Sequence, residues 1–259
     1  MIVSRRDGEL VLVRQVDHQL QCRVMADAWG NGQFERLPHW ASLVTAAAVH
    51  DEGWRAWEES PQLDPSGRPE DFIDVDRAIH VDIYRHGIEH ALGLDPRAGL
   101  IVSMHGRGLY EARLGLDGDA PDRGGMRPEV QRFLEEQDEL AARLTPELGP
   151  VAELWDAYRL LQAWDLLSLY VVWRALPAGR SGELPQVPRR SGDPGVGIRL
   201  RPGGADTVVL DPYPFAESPV ALPVEARVIA DRDYGDPAAL GDAIERARPR
   251  PLEIVARSG

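Results

Sequence analysis

Residues 151–174 read VAELWDAYRLLQAWDLLSLYVVWR, and this stretch decides the expected fold. Apolar residues recur three and four positions apart through Leu154, Tyr158, Leu161, Leu169 and Val172, the spacing of one buried helix face. No internal Gly or Pro interrupts it. Asp165 falls on that same face. An unpaired carboxylate buried there would cost several kcal/mol, so it needs a cation or strong hydrogen-bond donors from another element.

Working outward, the same periodicity predicts helices over 17–29, 38–51, 75–92, 96–106 and 128–145. It also sorts the histidines. His80 shares its face with Ile83, Tyr84, Gly87, Ile88 and Ala91, whereas His86 and His90 share theirs with Asp82 and Glu89 and point outward. His105 closes a stripe of Leu94, Ala98, Ile101 and Val102, and His50 closes one of Leu43, Ala46 and Ala47. His18 opens the first helix with Cys22 and Met25 along its face, while His39, after Pro38, reads as a cap or as exposed. Any one of these alone reads as a hydrogen-bonded core histidine. Four inward histidines together with Asp51 and Asp165, on separate helices, are what a helical bundle needs to hold metal at its centre.

The two ends of the chain read differently. Residues 1–15 alternate around Asp7-Gly8, a hairpin-turn dipeptide, and VGIRLRP, TVVLDPYPF, PVEARVIA and LEIVARS resemble short strands, with one helix near 237–247. The expected fold is therefore mainly α. A helical metal-binding bundle fills residues 16–174, and a Pro/Gly/Ser-rich linker or loop follows over 175–195. A small antiparallel β appendage is made by residues 196–259, with the 1–15 hairpin able to join its edge.

Composition narrows the partners. The 259 residues are 43% apolar and 27% charged, which describes a folded globular protein. The net charge of −13 opposes a nucleic-acid partner. All 29 basic residues are Arg and none is Lys, so any cationic contact to a substrate falls to a guanidinium. The single Cys22 excludes an internal disulfide and fits a reducing compartment. The start MIVSRRDGELVLV is too polar for a signal peptide, and no run reaches the apolar length of a membrane span. A cytoplasmic location with no membrane partner is expected.

The order His18, His50-Asp51, His80, His105, Asp165 resembles the HD-domain superfamily of metalloenzymes, named for its adjacent His-Asp pair, over about residues 16–174. The segments HDEGWRAWE, FLEEQDELAARL and YRLLQAWDLLSLY also look like a bacterial family catalogued only as a domain of unknown function. The HD resemblance implies two metal ions, iron first with manganese or zinc as alternatives. His18, His50, Asp51 and Asp165 would hold one, and His80, His105 and a bridging Asp51 the other. Many HD enzymes continue the pair as His-Asp-x-Gly-Lys; here Trp54 follows Gly53, and the nearest cationic replacements are Arg55, Arg107 and Arg159.

Three classes of function follow from the resemblance. Ligand order is similar to the mixed-valent diiron oxygenases, which implies oxidation of a small anionic or hydroxylated substrate. The alternatives are metal-dependent hydrolysis of a phosphoester and a non-catalytic metal-binding regulatory module. Glu52 and Tyr84 are candidate proton carriers, and Arg107 is the candidate clamp for a small-molecule anion.

Overall fold

The two ends of the chain meet in one sheet. In the computed structural model, which describes residues 1–173 and 175–259, Asp7 and Gly8 both take positive φ (51° and 83°). That turn folds β1 (Ile2–Arg6) onto β2 (Glu9–Val13). β2 then pairs antiparallel with β6 (Val220–Ala230), Leu10 lying opposite Ile229. With β3 (Gly182–Val187), β4 (Val196–Gly204), β5 (Thr207–Asp211) and β7 (Arg250–Ser258), the order across the sheet is β1-β2-β6-β7-β5-β4-β3. β5 and β7 run parallel, and every other neighbouring pair is antiparallel.

This overturns the mainly-α expectation of a helical bundle with a small antiparallel appendage. The chain is 48% helix and 21% strand, and its seven-stranded mixed sheet curls into a half-barrel. The sheet was under-read because its strands lie at opposite ends of the sequence. Neither end alone shows the pairing that joins β2 to β6.

Helices pack on that sheet as part of one core. They comprise α1 (Gln15–Ala28), α2 (Trp40–Val49), α3 (Trp54–Glu58), α4 (Arg77–Leu94), α5 (Pro96–Gly108), the single turn α6 (Ala112–Gly115), α7 (Pro128–Leu148), α8 (Val151–Val172) and α9 (Pro237–Arg246). Local chemistry sets two starts: Asp76 accepts from the Ala78 amide to cap α4, and Asp95 accepts from Arg97 and Ala98 to cap α5, whose first residue is Pro96. α8 packs against α1, α2, α5 and β3, while α1 rests on β6. The hydrophobic core runs continuously from Trp54, Ile101 and Leu161 on the helices to Val11, Leu200, Leu222 and Ile254 on strands. Sandwiched this way, α8 buries residues around most of its circumference, Gln162, Asp165 and Ser168 among them. Among the described residues no helix is long and apolar enough to cross a membrane.

Candidate metal centre

The inward histidines converge where α1, α2, α4, α5 and α8 meet. His18 on α1, His50 at the end of α2, Asp51 just after it, His105 on α5 and Asp165 on α8 are each no more than 3% exposed. His80 on α4 is 6% exposed, whereas His86, His90 and His39 face solvent. The turn carrying His50-Asp51 is pressed on α4 through Gly53. A Cβ there would lie 1.9 Å from the Ile83 carbonyl oxygen and 2.9 Å from the Gly87 amide, so no larger residue fits without backbone movement.

Donor atoms cluster closely. His18 Nε2 lies 3.0 Å from Asp165 Oδ1 and 3.8 Å from Asp51 Oδ2. His50 Nε2 lies 3.7 Å from Asp51 Oδ2 and 3.9 Å from Asp165 Oδ1, and His105 Nε2 lies 3.9 Å from Asp51 Oδ1. Nitrogen and oxygen donors about 2.1 Å from one ion sit roughly 3.0 to 3.4 Å apart as neighbours, so the spacing is close to that of a coordination shell.

Hydrogen bonds set the tautomers. Gln21 Nε2 donates to the Leu222 carbonyl (2.6 Å), which turns Gln21 Oε1 toward the Ser168 hydroxyl as acceptor (2.6 Å). Ser168 spends its proton there and can only accept from His18 Nδ1–H (2.6 Å). His18 therefore presents Nε2 to the carboxylates as a lone pair or as a proton held against Asp165. His50 Nδ1 donates to the Ala47 carbonyl (3.1 Å), and its buried Nε2 has no hydrogen-bond partner among the described residues. Gln162 lies 2.6 Å from His105 Nδ1, and its own Oε1 is buried without a partner. A half-turn of that amide lets Oε1 accept from Nδ1–H and leaves His105 Nε2 a free lone pair.

Electrostatics agree. Burial lowers His50 and His105 to about 4, so both are neutral at pH 7. Burial opposes the charge of Asp165, but the hydrogen bond from His18 and the nearby imidazoles outweigh it and hold the carboxyl below its usual range. Burial pushes Asp51 up, which makes it the group most in need of a positive neighbour. Tyr84 OH donates to Asp51 Oδ1 (2.9 Å), and burial together with that carboxylate raises Tyr84 well above its ordinary value.

Other sequence candidates fall elsewhere. Glu52 does not line the cavity. Its carboxylate accepts from Arg55 and from Gln19 Nε2 (2.8 Å), and Gln19 Oε1 in turn accepts from the Asp51 amide (2.9 Å), so Glu52 braces the His-Asp turn from outside. Arg107 pairs with Glu111 and Asp138 away from the cavity, and Arg159 is buried against Asp156 and the Pro194 carbonyl. His80 Nδ1 lies 2.5 Å from Tyr110 OH, and His80 is not among the close donor sets.

Sequence reading missed several contributors. Cys22, one turn past His18, places its thiol within 4.8 Å of donor atoms of His18 and His50. Ser168 and Gln21 lie one turn past Asp165 and His18 on the same faces, a signal the helix rule contained. Arg77 and Arg113, which line the cavity over the centre, had none. Arg113 sits in α6, where Ala112, Arg113 and Leu114 take φ of 49°, 47° and 54°; a left-handed conformation costs roughly 1–2 kcal/mol at each such residue.

Helices, half-barrel and buried His-Asp pole together define a mixed α/β protein with a candidate metal centre beneath a cavity lined by two arginines. A family model described as "Protein of unknown function (DUF3891)" matches residues 1–231, and the chain belongs to that family. The match spans β1 through β6 and every candidate ligand. No curated protein and no solved structure matches the chain.

Proposed function

We propose that this chain is a metal-dependent enzyme of the HD type, hydrolysing a small anionic ester at a centre built by His18, His50, Asp51, His105 and Asp165. The observation that carries the reading is the buried, partnerless Nε2 of His50 aimed at two buried carboxylates. A void of this chemistry suits iron, manganese or zinc, all of which accept imidazole and carboxylate ligands. A divalent ion there supplies Lewis acidity, lowering the pKa of water and polarising a substrate oxygen. The chain's own residues do the rest. Tyr84 orients Asp51, the Ser168–Gln21 pair orients His18, and His80, lowered to about 3 by burial and the Arg77 charge, lines the cavity as a neutral imidazole.

A second reading, oxidation at an iron pair, is favoured by one observation: His80, His105 and Asp51 line the same cavity. His80 Nδ1 is held by Tyr110 OH, so the nitrogen it would offer a second metal is Nε2. Metal analysis separates the two. About one ion per chain, lost in His50→Ala and retained in His80→Ala and His86→Ala, supports the single centre. Two ions, one of them lost in His80→Ala, together with oxygen uptake by iron-loaded protein, selects the oxidative reading. Phosphomonoester hydrolysis by manganese-loaded protein under nitrogen, lost in Asp51→Asn, supports hydrolysis. No metal in protein purified from metal-replete medium refutes both readings.

A further inference from the structure

The cavity above the centre holds about 170 Å³ and is lined at one level by His18, Asp51, His105 and Asp165. Two guanidinium groups share that lining, Arg77 from the first residue of α4 and Arg113 from α6. Resting on the reading above, the charge balance is simple. Two aspartates would offset one divalent ion and Asp117, the one carboxylate paired with Arg113 among the described residues, offsets that arginine, so Arg77 leaves the cavity positive.

Arg113 is not an ordinary surface arginine. Its side chain is 22% exposed, its Nη1 donates to Asp117, and its Nε is buried with no partner. Burial works against its charge, but Asp165 and Asp117 outweigh that and keep it protonated. The left-handed backbone from Ala112 to Leu114 is what brings it to the cavity, and such local strain concentrates at functional positions. Arg77 is exposed and has no carboxylate within ion-pair distance among the described residues, and its charge is felt at both His80 and Tyr110.

We propose that Arg113, with Arg77, holds the oxyanion end of the substrate, and that the cavity admits only small acids. A planar guanidinium with a free Nε–H and Nη–H edge is suited to grip two oxygens of one anion. Size sets the limit: a closed cavity of roughly 150 Å³ is filled by a benzene-sized molecule, so this one, open on one side, takes in a phosphate-sized group but does not enclose a whole nucleotide.

The test is calorimetric titration of metal-replete protein with inorganic phosphate and with adenosine monophosphate, alongside metal content and thermal melting of each variant. Phosphate binding at one site per chain is expected, weakened about tenfold or more in Arg113→Gln. A smaller loss is expected in Arg77→Gln, and none in Arg107→Gln. Arg113→Lys, which keeps the charge and loses the fork, is expected to bind phosphate between wild type and Arg113→Gln. Metal content should be unchanged in all four variants. Adenosine monophosphate should bind more weakly than phosphate. Arg113-dependent phosphate binding by protein that holds no metal supports this clamp while refuting the metal reading. No phosphate binding by wild type, equal binding by Arg113→Gln, or Arg113-dependent binding of the nucleotide as tightly as phosphate overturns the proposal.

Discussion

Ser168→Ala removes one oxygen and leaves two buried groups without partners. His18 Nδ1–H loses its acceptor and Gln21 Oε1 loses its donor, in side chains no more than 1% exposed. An unsatisfied buried polar group costs about 1–3 kcal/mol, so the metal-free protein should lose about 2–6 kcal/mol of stability, the lower end if Gln21 finds the space left by the hydroxyl. The second effect is on the ligand. Without an acceptor at Nδ1, His18 is free to move its proton to Nε2 and turn its lone pair away from Asp165, and loss of such an outer partner typically weakens metal binding by about 10–100-fold. Urea unfolding of chelator-treated protein measures the first effect. Competition with a metal-indicator dye measures the second. A variant as stable as wild type, with metal affinity within about twofold, would refute the directional relay from Leu222 to His18.

Two further outcomes are expected. Gly53→Ala sets a methyl 1.9 Å from the Ile83 carbonyl, beyond what a side chain can yield, and should cost about 3 kcal/mol in urea unfolding while displacing the His-Asp turn; an unshifted midpoint sinks the close-approach argument. Acidifying the metal-free protein should destabilise it between pH 6.5 and about 4. His50 and His105 take up protons near 6.5 when unfolded but only near 4 when folded, so each contributes on the order of 3 kcal/mol that is present above pH 6.5 and lost as the pH falls through that window. Asp51, raised by burial, works in the opposite sense but is one group against several histidines, so stability that stays flat from pH 7 to 4 contradicts the assignment of neutral buried imidazoles.

Burial on a helix is periodic, and this is why His50, His80 and His105 could be read as inward from their neighbours while His86 and His90 could not. The same rule placed Asp165 in the interior, where it lies 3% exposed. Adjacency misled at Glu52: it follows Asp51 in a turn, and successive residues of a turn point in different directions, so the neighbour of a ligand braces the outside. Arg107 is near His105 in sequence but not in space, because two residues along a helix is more than half a turn. Arg113 carried no signal at all, because Ala112-Arg113-Leu114 contains none of the residues that ordinarily mark a left-handed turn. The half-barrel was hidden for a different reason. Its strands are short and individually legible, but which strand lies beside which depends on contacts between the first and last parts of the chain.

The place of β7 sets an order on assembly. Residues 250–258 lie between β6 and β5, and Ile254 stands opposite Leu222, whose carbonyl anchors the Gln21 amide. A ribosome finishes all five candidate ligands by residue 165, well before it supplies that strand. A nascent chain can therefore gather its imidazoles and carboxylates while the support behind His18 is still unpaired, and contacts so distant in sequence form late. Such a chain would capture ions loosely and exchange them freely. On the proposed metal reading, tight retention would be a property of the finished sheet, tying loading of the helices to completion of a strand that never touches them at the centre.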